Sequence, residues 1–307
     1  MKSPNALLQS CRPRQWSKNL LVYASALFSF QLNAQIWLDS TAALISFCLI
    51  SSCIYLVNDV IDINADRLHP TKRNRPIASG LVPCPAALIT ATILFILSIS
   101  IALLVNPGLA LVIIGYTAIQ FGYCLKLKRE PLLDIFCIAS GFLLRALAGL
   151  IATGLGSSPW FLLCVGLLAL FLAVEKRKAE LRVSLDSGVV TRKVLNRYSL
   201  PLLQRLESLV SSSAFMAYAL WSAGPTLQGA PTSWMLLTVP FVLVGIFRYQ
   251  LLSDPEEIER RTARNPDQTT EKPEEILLGD RGIRLTLLGW MAMVVVIGMG
   301  HRLGWLA

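Results

Sequence analysis

The chain has 307 residues, 54% of them hydrophobic and only 15% charged, with a formal net charge of +9. A soluble domain usually carries about 25% charged residues, so this composition argues against a water-soluble enzyme. Nearly charge-free runs of about 20 residues, each able to cross roughly 30 Å of hydrocarbon, recur along the chain. They exclude a secreted disulfide scaffold, a disordered tail and a nucleic-acid module as the main class.

Residues 1–18 read as a basic segment lying at the membrane interface, and apolar spans follow at about 19–38, 41–58, 85–105, 108–125, 132–153, 159–175, 200–223, 232–252 and 285–304. Each is expected to be a helix, because lipid offers no partner for an open strand edge. Asn106-Pro107-Gly108 and the stretch from Gly154 to Pro159 punctuate the chain between spans. Pro240 falls inside the eighth span and predicts a kink there. Ala24-Ser25-Ala26 resembles a signal-peptidase site, but the apolar stretch before it, Leu20 to Tyr23, is too short for a signal peptide. Residues 253–283 form a charged linker, with Glu274, Glu275 and Asp280 close enough to the last span to contribute to a site.

The basic residues set the orientation. Of the 28 Lys and Arg, 26 lie in the N-terminal segment and in the regions 59–84, 126–130, 175–205 and 248–284. The alternate connections, 31–40, 106–108, 154–158 and 224–233, contain none. The positive-inside rule then puts the N-terminus and the basic loops in the cytoplasm, as in a bacterial inner membrane. The seven cysteines show no C-x-x-C pairing and read as packing residues. His69 and His301 are the only imidazoles, so zinc is not suggested, and His69 is given no catalytic role.

The stretch that carries chemistry is Asn58-Asp59-Val60-Ile61-Asp62-Ile63-Asn64-Ala65-Asp66-Arg67, directly after the second span. If the helix continues, Asp59, Asp62 and Asp66 lie within about 60° of arc. Three carboxylates on one face repel one another, and a divalent cation relieves this; Mg²⁺ is commonly held by one or two carboxylates together with substrate phosphates. The basic run that follows contains Lys72, Arg73 and Arg75 and is too rich in Pro, Asn and Gly for a simple helix. It reads as the lid of an anion pocket, with Arg as the bidentate phosphate partner.

Asn58-Asp59-x-x-Asp62-x-x-x-Asp66 resembles the first aspartate-rich motif of the UbiA superfamily of intramembrane prenyltransferases. Further segments resemble its decaprenyl-phosphate phosphoribosyltransferase branch. They are Arg12-Pro13-Arg14-Gln15-Trp16-Ser17-Lys18-Asn19, Arg73-x-Arg75-Pro76-Ile77-Ala78-Ser79-Gly80, Leu125-Lys126 with Pro131-x-x-Asp134 and Ser140-Gly141-Phe142-x-x-Arg145-Ala146, and Pro273-Glu274-Glu275 with Asp280-Arg281. The resemblance covers nearly the whole chain. It implies one all-α domain over 1–307, nine transmembrane helices around a cavity open to the cytoplasm, and Mg²⁺ held by Asp59, Asp62 and Asp66.

One departure helps to choose the branch. Members that use prenyl diphosphates carry a second D-x-x-x-D cluster where this chain reads Glu175-Lys176-Arg177-Lys178-Ala179-Glu180. Lys176 and Glu180 form an i, i+4 pair of opposite sign in a net-positive segment, which suits an anionic acceptor. Arg177 and Lys178 equally suit a helix end snorkelling to the headgroups. Arg145 lies more than a turn inside the fifth span, where a charge costs several kcal/mol unless partnered or wet. It either shares the cavity-lining face of Asp134 and Gly141 or bonds the carbonyls of a neighbouring helix.

The function so implied is transfer of a 5-phosphoribosyl group from 5-phosphoribosyl 1-diphosphate to a polyprenyl phosphate, releasing diphosphate. Asp59, Asp62 and Asp66 would act as the catalytic metal face, with Asn58, Lys72, Arg73 and Arg75 on the donor. Lys18, Tyr123, Lys126, Asp134, Arg145, Lys176 and Glu180 complete the substrate-binding set. Membrane lipids are expected partners, nucleic acid is not, and homo-oligomerisation is left open. Prenyl transfer from an allylic diphosphate is the alternative within enzymes, and a non-enzymatic lipid-binding or transport protein the alternative outside them.

Overall fold

The computed structural model describes residues 4–31, 33–68, 72–156, 158–187, 192–264 and 279–305, and among these there is no strand. A short α1 (Pro4–Ser10) leads into a 3-10 segment over Pro13–Tyr23 and α2 (Ala24–Phe28). Next come α3 (Ala34–Ile61), α4 (Ile63–Leu68), α5 (Cys84–Val105), α6 (Pro107–Leu125) and α7 (Leu133–Thr153). The chain continues through α8 (Pro159–Ser187), α9 (Leu200–Ser222), α10 (Val239–Leu252), α11 (Pro255–Arg264) and α12 (Arg281–Arg302). Seven described helical segments are long and apolar enough to cross a membrane: α3, α5, α6, α7, α8, Ser233–Leu252 and α12. Their outward faces are greasy, as lipid demands: on α5 alone, Ile89, Ile93, Ile96 and Leu104 are exposed.

The chain divides into two compact units. The first comprises Met1–Leu27, Gln31–Leu127 and Gly141–Gly156. Along α3, Ala43, Phe47, Ile50 and Ile54 recur at helical spacing and are buried, the periodicity of one packed face. They pack with Ala87 and Ala91 of α5 and with Ile113 and Tyr116 of α6. The alanines let backbones approach closely, which is the main source of helix association in lipid. Ser98 Oγ adds an interhelical hydrogen bond, donated to Ser46 O at 2.9 Å. Asn106 both ends α5 and caps α6, its side chain accepting from Gly108 N, so the Asn-Pro-Gly signal is a tight helix hairpin.

The second unit comprises Phe28–Phe30, Lys128–Ser140 and Ser157–Ala307. One of its apolar clusters joins Ile135, Ala173, Val174, Leu195 and Leu203. Another joins Phe171, Tyr249, Leu252 and Ile283. Phe28 packs edge-on against Phe161, Trp221 and Trp290.

Two expectations are corrected. Residues 19–38 do not form one span: the 3-10 segment and α2 stop at Phe28, and Asn33 starts a new helix by accepting from Gln35 N. The helix expected over 41–58 takes up the lost length, running for 28 residues. Pro240 does not kink a helix midway; it sits in the first turn of α10, just after a 3-10 turn over Ser233–Thr238, where its missing N–H costs nothing. Of the nine crossing helices expected, seven meet the length and hydropathy of a span among the described residues. Besides the broken first span, α9 has the length, 23 residues, but carries Gln204, Arg205 and Glu207.

Candidate active site

The acidic stretch sits where α3 hands over to α4. The backbone leaves helical geometry at Asp62, with φ −89° and ψ 8°, yet Asp62 N still donates to Asn58 O and Asp66 N to Asp62 O. The i→i−4 register therefore survives the junction, and the aspartates stay on neighbouring turns. Asp59 and Asp66 are buried, while Asp62 and Asn58 are half-buried.

Both buried carboxylates meet one guanidinium. Arg75 Nη1 lies 3.1 Å from Asp59 Oδ1 and 2.6 Å from Asp66 Oδ2. A second arginine, Arg12, donates from Nη2 to the same Asp59 Oδ1 at 2.5 Å, with its guanidinium 4.8 Å above the Tyr55 ring. Arg75 is held in place by its own loop. Pro76, Ile77 and Ala78 are buried, Val82 N closes a turn on Pro76 O, and Gly80 takes the left-handed φ of 80° that the turn requires. Arg67 Nε, on α4, donates to Ala78 O at 3.0 Å and ties the loop to the acidic helix. The basic run is thus less an open lid than a strap whose Arg75 already neutralises the aspartates. Lys72 is half-buried and Arg73 exposed; His69 lies outside the described residues.

The donor set suits a hard divalent cation. Two carboxylates converge on one positive centre, with oxygen ligands only. Among the described residues no group of three His, Cys, Asp or Glu is close enough to cage a metal by itself. Mg²⁺ usually takes one or two carboxylates and completes its shell with water and substrate phosphate.

Arg145 is buried and its polar atoms are engaged: Nε donates to Asn19 Oδ1 at 2.7 Å, Nη1 to Gly141 O at 2.6 Å and Nη2 to Tyr116 Oη at 3.1 Å. These contacts knit α7 to α6 and the N-terminal segment through side chains, and the backbone carbonyl among them, Gly141 O, lies on α7 itself rather than on a neighbouring helix. Lys18 and Tyr123 are half-buried, and Lys126 is exposed just past α6.

In the second unit the charged end of α8 neither snorkels nor faces water. Arg177, with no exposed side-chain surface, pairs through Nε with Asp134 Oδ2 at 2.6 Å and through Nη1 with Glu180, which Arg192 also approaches at 3.5 Å. Tyr198 Oη donates to Asp134 Oδ1 at 2.6 Å and accepts from Leu132 N, whose residue has φ 66°. Burial, then the bond to Asp134, pushes the Tyr198 phenol up, so it stays protonated. Lys178 pairs with Glu175 at 2.5 Å and with Glu207 of α9. Snorkelling, one of the two readings of Arg177 and Lys178, fails because carboxylates bracket them inside the protein. Lys176 is half-buried on the same helix. Glu274 and Glu275 lie outside the described residues. Asp280 caps α12, accepting from Ile283 N at 2.8 Å, and pairs with Arg248 at 3.0 Å.

Sequence reasoning passed over Arg12 as a site residue. The signal was present in Arg12-Pro13, a bulky residue before proline at the end of a short helix, but only the fold shows that it reaches Asp59.

Comparison with known proteins supplies the family. Residues 20–265 match the UbiA prenyltransferase family. The chain is 37% identical to the decaprenyl-phosphate phosphoribosyltransferase of Mycolicibacterium smegmatis, across 94% of this chain and 91% of that protein. It is 36% identical to the protein of the same name from Corynebacterium glutamicum, across 95% and 86%. Its fold is similar to that of a UbiA homolog from Archaeoglobus fulgidus bound to GPP and Mg²⁺, with a TM-score of 0.69 at 17% identity over 95% of this chain and 98% of that one. An acidic helix junction at the end of a membrane span, apolar helices throughout and a match over most of the chain lead to one conclusion: this protein is a membrane transferase of the UbiA prenyltransferase family.

Proposed function

We propose that this chain transfers a 5-phosphoribosyl group from 5-phosphoribosyl 1-diphosphate to a polyprenyl phosphate, releasing diphosphate, at the cytoplasmic face of a bacterial plasma membrane. The convergence of Asp59 and Asp66 on Arg75 is the observation that carries it, because such a face suits a polyanion delivered with a divalent cation. The names of relatives 36–37% identical over nearly the whole chain supply the substrate pair. The bias of basic residues to alternate loops supports the orientation.

Asp59 and Asp66, with Asp62 at the rim, would hold Mg²⁺, which when bound supplies charge neutralisation to a leaving diphosphate. Lys72, Arg73 and Arg75 clamp that diphosphate, with Asn58 as a polar contact beside it. Lys18, Tyr123 and Lys126 hold the acceptor phosphate and the donor's 5-phosphate. An acceptor oxygen bonds to the ribosyl C1 as the C1–O bond to diphosphate breaks, the electron pair leaving with diphosphate. The ribosyl carbon passes through oxocarbenium character, as in other glycosyl transfers. The acceptor oxygen is already anionic at pH 7, so the site needs no strong base. Arg145 acts through Asn19 and Tyr116 as a positioning residue, while Asp134 and Glu180 order the second unit through Tyr198, Arg177 and Arg192.

The test is incubation of the purified chain with Mg²⁺, polyprenyl phosphate and ribose-labelled phosphoribosyl diphosphate. Label should enter the lipid phase with wild type and fall by about a hundredfold or more in Asp59→Asn and Asp66→Asn, the scale for losing a main electrostatic stabiliser. No incorporation by wild type, or an undiminished rate in Asp66→Asn, would overturn the proposal.

A further inference from the structure

We infer that Arg12 is an internal counter-ion of the acidic face: it holds Asp59 while the donor is absent and moves to the donor's diphosphate when the cation takes that carboxylate. The inference rests on the proposed metal-and-diphosphate role of Asp59 and Asp66.

Arg12 is built for this exchange. Its backbone is left-handed, with φ 52° and ψ 59°, although it is not glycine and precedes Pro13. A bulky residue persists there only when its surroundings over-determine the conformation. Here they do: on its N-terminal side Cys11 O accepts from Ser52 Oγ at 3.0 Å, and on its C-terminal side Trp16 Nε1 donates to the same Ser52 Oγ at 3.0 Å. The backbone is thus pinned to α3 one turn from the stacking partner Tyr55, while the side chain keeps 28% of its surface open to solvent. A fixed base with a solvent-open guanidinium can trade one anion for another without refolding.

The charge arrangement says which arginine moves. Among the described residues, Asp59 Oδ1 takes two guanidiniums and Asp66 takes that of Arg75. Arg75 bridges both carboxylates and is anchored by the buried turn that follows it, so Arg12 holds the single, exchangeable contact. Among the described residues, the two buried carboxylates Asp59 and Asp66 are matched by the two guanidiniums of Arg12 and Arg75. A divalent cation arriving alone overfills the face with positive charge and competes with Arg12 for Asp59. A cation arriving with a diphosphate brings the anion that the displaced guanidinium needs. Arg12 therefore opposes the bare cation and favours the cation–diphosphate pair, a coupling between the two ligands.

This predicts changes of opposite sign, which a merely structural residue would not produce. Binding of Mn²⁺ alone to the purified full-length chain in detergent is measured from the loss of the free-ion EPR signal. Binding of labelled inorganic diphosphate is then measured by equilibrium dialysis at saturating Mn²⁺. In Arg12→Ala, Mn²⁺ alone should bind about tenfold tighter and diphosphate about tenfold weaker, the scale of one charge-assisted hydrogen bond. Arg12→Gln, which keeps the length and loses the charge, should show the same opposed pair and guards against a folding defect in the alanine variant. Weakening of both ligands, or no change in either, overturns the inference. If wild type binds Mn²⁺ and Asp59→Asn abolishes it, that failure belongs to Arg12 alone; if wild type binds no Mn²⁺, the reading of the acidic face itself falls.

Discussion

Lys178 offers the sharpest stability test, because its two partners are both buried carboxylates. Its side chain is 5% exposed, against 2% for Glu175 and 9% for Glu207. Replacing Lys178 by Met keeps the length and apolar volume of the stem but strands two carboxylates with no ammonium between them. Breaking a buried ion pair from one side costs about 3–5 kcal/mol, most of it the penalty on the charge left behind. Glu175 sits on the same helix one turn away and Glu207 on α9, so the strain falls on the α8–α9 contact rather than on the helix itself. Removing one stranded charge as well should relieve much of the loss: Lys178→Met/Glu207→Gln should recover about 1–3 kcal/mol relative to Lys178→Met. The assay is reversible unfolding in mixed micelles, followed by tryptophan fluorescence. A single variant within about 1 kcal/mol of wild type, or a double variant less stable than the single one, would refute the reasoning, since an ordinary surface pair is worth no more than that.

Other predictions follow from particular contacts. Because the folded protein keeps Tyr198 protonated above the ordinary tyrosine range, stability should be fully present below about pH 10 and fall as pH rises past it, where only the unfolded chain ionises; Tyr198→Phe should flatten that part of the pH–stability profile. A Cβ on Gly149 would sit 2.0 Å from Val22 O, whereas one on Gly115 would meet nothing within 4 Å. Gly149→Ala should therefore lose folded protein on size-exclusion, while Gly115→Ala should match wild type or gain about 0.5–1 kcal/mol. Asp280 is opposed by burial, but Arg248 and the Ile283 N–H hold its carboxyl below the usual range. Its stabilisation is present above the ordinary carboxylate range and should be lost as pH falls through the lowered value. Asp280→Ala should cost about 1 kcal/mol as a lost helix cap and leave diphosphate affinity unchanged in dialysis.

Much of this architecture is legible in the residues. Apolar runs, the Asn106-Pro107-Gly108 break and the segregated Lys and Arg are local signals, and the helices follow them closely. The acidic stretch is legible too, because its i, i+3, i+7 spacing survives the lapse at Asp62. The break before Asn33 is marked by uncharged polar residues, Ser29, Gln31, Asn33 and Gln35, which a span count based on charge passes over, and Asn33 is the cap of the new start. What periodicity cannot carry is pairing over distance. Arg12 to Asp59, Arg145 to Asn19, and Lys178 to Glu207 each join residues remote in sequence, and each replaces a solvent or lipid role with a protein partner. The basic end of α8 shows why this matters: its net positive charge suggested an anion-facing patch, but Asp134, Glu180 and Glu207 neutralise it from within.

The central claim, that the acidic face releases diphosphate while a phosphoribosyl group passes to lipid, is tested most directly by a double label. Phosphoribosyl diphosphate carrying ³²P at the 5-phosphate and ³³P at the terminal phosphate is turned over with Mg²⁺ and polyprenyl phosphate. The predicted result is ³²P in the lipid phase and ³³P in water as inorganic diphosphate, in equal amounts. Terminal label in the lipid, or neither label there, would contradict it.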